Sequence, residues 1–141
     1  MKPATFDYKK PADLTETLSV LVTEPGFNKI LAGSQSLGPM MNLRLAQPDR
    51  LIDIRELDAL KRVVQTADNL FIGAMVTHAN IEDGALPDVT KGMMVQVASG
   101  IAYRAVRNRG TIGGSIAHAD PAGDWPTALL ALGAQVVING P

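Results

Sequence analysis

Apolar residues first recur at helical spacing between Pro11 and Thr23, where Leu14, Leu18, Leu21 and Val22 share one side and Pro11 suits a first helical position. Pro25-Gly26 ends that helix. Lys29 to Ala32 reads as a short buried strand running directly into the polar glycine loop Gly33-Ser34-Gln35-Ser36-Leu37-Gly38-Pro39. Leu51 to Ile54 is a second strand, and Val63–Gln65 and Leu70–Ile72 flank Asp68-Asn69 as a hairpin. Thr77 to Glu82 predicts a short helix with Thr77 as N-cap and Asn80 where a capping box carries Glu or Gln. From Pro87 on, Val89, Met93, Val97, Ile101 and Ala105 recur every four residues beside Met94, Ala98 and Ala102, which predicts one long helix ending near Arg107-Asn108-Arg109-Gly110. A second glycine loop is expected next. Asp124 then caps a helix from Pro126 to Leu132, closed by Gly133, and Gln135 to Ile138 reads as a final strand before the turn Asn139-Gly140-Pro141. Asn-Gly after an apolar strand is a hairpin signal, so a returning strand is expected beyond Pro141. Without it, ladder groups would be left open to a partner or to aggregation.

Composition narrows the functions this pattern can serve. The 141 residues are enough for about one compact domain. Thirteen basic against fourteen acidic side chains leave a net charge of −1, so no bulk field gathers nucleic acid or anionic lipid. The absence of cysteine rules out a disulfide, a thiolate nucleophile and a Cys-ligated zinc or iron–sulfur centre built from this chain. The two histidines lack a credible third partner for zinc. The amino terminus has Pro3 and Asp7 in place of the apolar run of a secretory signal, which reads as cytoplasmic, with no membrane span.

Two segments carry candidate chemistry: Ala32 to Leu37, and Gly110-Thr111-Ile112-Gly113-Gly114-Ser115-Ile116-Ala117-His118-Ala119-Asp120-Pro121-Ala122-Gly123-Asp124. Both mix glycine with hydroxyl or amide side chains. Consecutive backbone N–H groups in such loops converge on an anion, and glycine removes the Cβ that would hold a phosphate away. Neither segment fits the Walker pattern or the G-x-G-x-x-G fingerprint. On spacing alone, the same segments are equally tight turns that bring two backbones close together.

Beyond spacing, Ala32-Gly33-Ser34-Gln35-Ser36-Leu37 and Thr111-Ile112-Gly113-Gly114-Ser115, followed by Ala119 to Asp124, resemble the flavin-binding medium subunit of molybdenum hydroxylases of the carbon monoxide dehydrogenase and xanthine dehydrogenase type. The likeness extends to Ile72 to His78, Arg107 to Gly110 and Leu129 to Ala134, in the family's order. It implies an α+β chain made of two small α/β subdomains of the vanillyl-alcohol-oxidase-type (PCMH-type) FAD-binding fold, at 1–56 and 57–141, the second incomplete. FAD is the implied cofactor, its pyrophosphate lying between the two loops. The implied cofactor-binding residues are Ala32, Gly33, Ser34, Gln35, Ser36 and Leu37 in the first loop and Thr111, Ile112, Gly113, Gly114 and Ser115 in the second. The family often has Asn where Ser115 stands. Asp124 matches an acidic residue facing the nucleotide part of FAD, His118 a polar position lining the cofactor, and Ile101 a position near the flavin ring.

The resemblance further implies a flavoprotein component of an oxidoreductase complex. A large molybdenum-cofactor subunit oxidises substrate, a small iron–sulfur subunit relays electrons, and this chain passes them through FAD to an external acceptor. No side chain here is expected to be a catalytic acid or base. The alternatives are a stand-alone flavin oxidoreductase of the same fold and a cofactor-free truncated assembly module. At residue level, Asp124 is equally a helix cap, His118 a loop histidine and His78 a first-turn helix residue. Arg104, Arg107 and Arg109 suit an ordinary helix end, and Met40-Met41 and Met93-Met94 suit core filling.

Overall fold

The computed structural model describes residues 1–140. The chain divides into two compact units, Met1–Leu57 and Asp58–Val136, with the segment from Val137 grouping with the first. The first unit is a three-stranded parallel sheet, β1 (Asp7–Lys9), β2 (Asn28–Leu31) and β3 (Arg50–Asp53), in the order β1-β3-β2. Helices α1 (Leu14–Thr23) and α2 (Leu37–Asn42) make the crossovers that parallel pairing requires. β3 is central, and Leu51, Ile52 and Asp53 are all buried, as a strand covered on both faces must be. Leu31, Met41, Ala46 and Leu51 form the core here, with Phe6, Leu37 and Met40 packed against them.

Three local details differ from the pattern reading. α1 starts at Leu14, with Pro11 outside it, because the Asp13 side chain accepts the Glu16 amide at 2.8 Å and Glu16 accepts the Ala12 amide at 2.6 Å. β2 ends at Leu31, one residue before Ala32. α2 falls in a stretch that reads as loop, since Gly38 and Pro39 are poor helix formers. Pro39 is nonetheless its third residue, where a backbone N–H has no partner within the helix.

The second unit opens with a 3-10 turn at Asp58–Lys61 and the expected hairpin, β4 (Val63–Gln65) antiparallel to β5 (Leu70–Ile72), with Thr66 and Asn69 closing its turn. Five helices follow: α3 (His78–Glu82), α4 (Met93–Gly100), α5 (Arg104–Arg107), α6 (Ile112–His118) and α7 (Asp124–Ala131). Val76, Ile81, Met94, Ala98, Ile112, Trp125 and Ala128 form its core. α3 carries the full reciprocal capping box, with Asn80 in the role of the acidic residue.

The single long helix expected after Pro87 is two helices. Lys91 and Gly92, at φ 54° and 85°, delay the start, and Ala102 at φ 42° breaks the path after Ile101. Nη1 of Arg107 donates to the Ile101 and Ala102 carbonyls at 2.9 and 3.1 Å, replacing the amides that a continuing helix would have offered. Asp124 is the first helical residue of α7 and Gly123 is its cap, so the capping role expected for Asp124 is not the one it has. Gly133, at φ 64°, closes α7 as predicted. Gln135 to Ile138 forms no strand: Val136, Val137 and Ile138 are exposed, and among the described residues no segment pairs with them.

Candidate functional site

Residues 32–36 leave the carboxyl end of β2 and lead into α2. Ligands of parallel α/β sheets gather at that end of the strands. Ser34 adopts φ 61°, a left-handed conformation that turns successive peptide units the same way. Three of its carbonyls are taken up locally: Ser34 O accepts from Gly38 N at 3.0 Å, Ser36 O from Met40 N at 3.1 Å, and Gly33 O from Nε2 of Gln35 at 2.8 Å. The amides of Gly33, Ser34, Gln35, Ser36 and Leu37 have no acceptor among the described residues. The loop thus engages three of its carbonyls locally and leaves five consecutive amide donors without an acceptor among the described residues. Ala32 to Gln35 are partly buried and Ser36 is exposed. A phosphate would accept from those amides in charge-assisted bonds worth roughly 1.5–3 kcal/mol each.

The second predicted segment is built differently. It is the start of α6, not an open loop. Thr111 is its N-cap, accepting the Gly114 amide on Oγ1 at 3.1 Å and the Ser115 amide on its carbonyl at 3.0 Å. Ile112 N donates to Val76 O and Gly113 N to Ala74 O, each at 3.0 Å, so the amides of residues 112–115 are all engaged within the protein. A Cβ on Gly113 would lie 2.5 Å from Ala74 Cβ and 2.7 Å from its Cα. That glycine therefore lets two backbones approach, because a side chain there would meet Ala74. Ser115 is partly buried and its hydroxyl has no partner among the described residues. It is the free polar group this segment presents.

Of the remaining predicted residues, Ile101 is the partly buried cap of α4, held through its carbonyl by Arg107. His118 ends α6 and is exposed. Asp124 is exposed in the first turn of α7, where its negative charge suits the helix dipole. It borders an open concavity of about 380 Å³ lined also by Met93, Val97, Pro121 and Ala128. α6 and α7 pack against each other, which brings the Thr111–Ser115 and Asp124 elements together within this unit.

His78 is a first-turn helix residue and Arg107 lies at a helix end, as expected, and both make further contacts that the pattern does not record. In the second unit His78, 5% exposed, accepts the indole N–H of fully buried Trp125 on Nδ1 at 3.1 Å. Burial lowers the His78 pKa to about 4, opposed by the Asp124 charge and aided by that of Arg107. Arg107 also forks onto Glu82, with Nε and Nη2 at 2.8 and 2.9 Å. In the first unit the buried Asp53 carboxylate accepts from Tyr8 and from the backbone and guanidinium of Arg55. Burial opposes its ionisation, but those donors outweigh it and hold its pKa at about 2. Among the described residues no cluster of three or more His, Asp or Glu could hold a metal ion, and no helix is long and apolar enough to cross a membrane.

Free amides at the carboxyl end of a parallel strand, in an α+β chain, are an arrangement that suits an anionic ligand. Residues 4–141 match the family described as FAD binding domain in molybdopterin dehydrogenase, and the chain belongs to that family. It is 43% identical to the nicotine 6-hydroxylase medium subunit of Paenarthrobacter nicotinovorans, over 99% of this chain and 49% of that protein. It is 38% identical to the carbon monoxide dehydrogenase medium chain of Hydrogenophaga pseudoflava, over 100% of this chain and 49% of that one. Among solved structures, quinoline 2-oxidoreductase from Pseudomonas putida 86 superposes with a TM-score of 0.80 at 41% identity, covering 89% of this chain and 44% of that chain. A Cu,Mo-CO dehydrogenase gives 0.84 at 32% identity, covering 94% and 46%. The chain spans about half the length of the curated relatives it matches.

Proposed function

We propose that this chain holds FAD in the flavoprotein subunit of a molybdenum hydroxylase complex, passing electrons from the iron–sulfur clusters of a small partner subunit to an external acceptor. A large subunit carrying the molybdenum cofactor would oxidise the substrate. The observation that carries the reading is the run of five unpaired amides from Gly33 to Leu37. It fits the most highly charged part of FAD, and no competing carbonyl of Gly33, Ser34 or Ser36 is left free to repel a phosphate. Family membership supports FAD as the source of that anion.

FAD, when bound, supplies the redox chemistry. The chain's own residues orient it. The Gly33–Leu37 amides donate to the pyrophosphate, with Ala32 setting the end of the strand before them. In the second unit Asp124 accepts from hydroxyls of the nucleotide part, Ser115 offers its hydroxyl, and Thr111, Ile112, Gly113 and Gly114 form the close-packed backbone beneath. Ile101 gives an apolar flank to the flavin ring and His118 a polar one. The two subdomains of this reading are 1–56 and 57–141.

Titration of the purified protein with FAD and, separately, with riboflavin tests the proposal, using quenching of flavin fluorescence. FAD is expected to bind at least tenfold more tightly, since two charge-assisted amide contacts alone exceed the roughly 1.4 kcal/mol that a factor of ten requires. Equal affinities would overturn the pyrophosphate assignment.

A further inference from the structure

The two candidate cofactor segments of the second unit are both fastened to one short stretch, Ala74 to His78. Gly113 N bonds to Ala74 O, Ile112 N to Val76 O and His78 N to Gly110 O, at 2.9–3.0 Å, and Thr77 bridges Thr111. These bonds place the start of α6. The start of α7 is joined to the same stretch by a side chain: Trp125, which immediately follows Asp124, donates its indole N–H to Nδ1 of His78. The imidazole has no freedom to follow a moving partner. A Cβ on Gly110 would lie 2.8 Å from both Cδ2 and Nε2 of His78, so the ring is closely packed on that backbone.

We infer that His78 is a positioning residue for the cofactor site, fixing Asp124 relative to Thr111–Ser115 by accepting a hydrogen bond from the indole N–H of Trp125 while its own backbone is bonded to Gly110. The inference rests on the FAD reading and goes further, naming the side chain that sets where the nucleotide-facing carboxylate stands. Acceptance on Nδ1 requires a neutral ring with its proton on Nε2. Burial and Arg107 keep it neutral at ordinary pH, against the opposing charge of Asp124. Loss of this bond would leave a buried N–H without an acceptor at the base of α7. The first turn would then shift to find one, carrying Asp124 with it.

FAD and riboflavin affinities of the wild type, His78→Leu, His78→Asn, Asp124→Asn and the His78→Leu/Asp124→Asn double variant test this. Trp125, the sole tryptophan, serves as the fluorescent reporter of the indole environment. Expected for His78→Leu are an altered Trp125 emission, about tenfold weaker FAD binding and unchanged riboflavin binding. His78→Asn carries an acceptor on the same side-chain carbon and should recover most of the FAD affinity. The double variant should bind FAD as Asp124→Asn does, because His78 acts through that carboxylate. FAD binding by His78→Leu at the wild-type level, or losses that simply add in the double variant, would overturn the inference while leaving the FAD reading intact. A wild type that does not bind FAD would overturn both. Should His78→Leu fail to fold, Trp125→Phe removes the donor from the other side and must give the same selective loss of FAD, or the inference falls.

Discussion

Replacing Gly113 with alanine adds one methyl group at a place where two backbone segments already touch. The new carbon would lie 2.5 Å from Ala74 Cβ and 2.7 Å from Ala74 Cα and O. Carbon atoms in contact sit about 3.5–4 Å apart, so the segments must separate by roughly 1 Å. Ala74 cannot easily withdraw, because Gly73 N and Met75 N on either side of it bond to Arg62 O and Leu60 O at 2.8 Å. Separation therefore stretches the Gly113 N to Ala74 O bond, at a net cost of about 1 kcal/mol, on top of about 1–3 kcal/mol of overpacking strain. The better helix propensity of alanine returns at most about 1 kcal/mol. A net loss of about 2 kcal/mol lowers Tm by roughly 10 °C for a unit of this size. Trp125 lies in the same core as Ile112, so its fluorescence follows the transition directly. A variant that melts with the wild type yet has lost FAD would refute this reasoning and return Gly113 to the role of clearing a path for phosphate.

Other perturbations separate the remaining groups. His78 titrates near 4 when folded against about 6.5 when unfolded, so its contribution is complete above pH 6.5 and is lost as pH falls to 4. That is about 3 kcal/mol, read from urea midpoints between pH 7 and 4, and His78→Asn should flatten the slope. Asp124→Asn should leave α7 intact, since Gly123 is the cap, and weaken FAD binding about tenfold; unchanged binding would remove Asp124 from the site. Ser34→Gly relieves a left-handed serine and should stabilise the first unit by about 1 kcal/mol in calorimetry without changing FAD affinity, because the amides remain.

The hairpin, the Thr77 capping box, the first helix and the strand before the glycine loop were legible because their signals are local: period, caps and turn residues. The helix break at Ile101 was not, since the apolar spacing runs straight through it. What ends α4 is a left-handed Ala102 and a guanidinium from Arg107, a contact no periodicity records. α6 was hidden for the opposite reason. Gly113-Gly114 lowers helix propensity, and only the Thr111 cap and the tie to Ala74 and Val76 make that turn helical. In the first loop the residue types pointed to anion binding, but which amides are free depends on the positive φ of Ser34 and on where the carbonyls go. The His78–Trp125 bond joins residues 47 positions apart, beyond the reach of any local pattern.

The central claim is that the Gly33–Leu37 amides bind the pyrophosphate of FAD. An amide-resolved NMR titration with FAD, followed by riboflavin on a second sample, measures this at the atoms concerned. The account predicts that the five amide resonances of Gly33, Ser34, Gln35, Ser36 and Leu37 shift together with FAD at saturation and remain in place with riboflavin. Resonances that stay put under saturating FAD, or that shift equally with riboflavin, would contradict it.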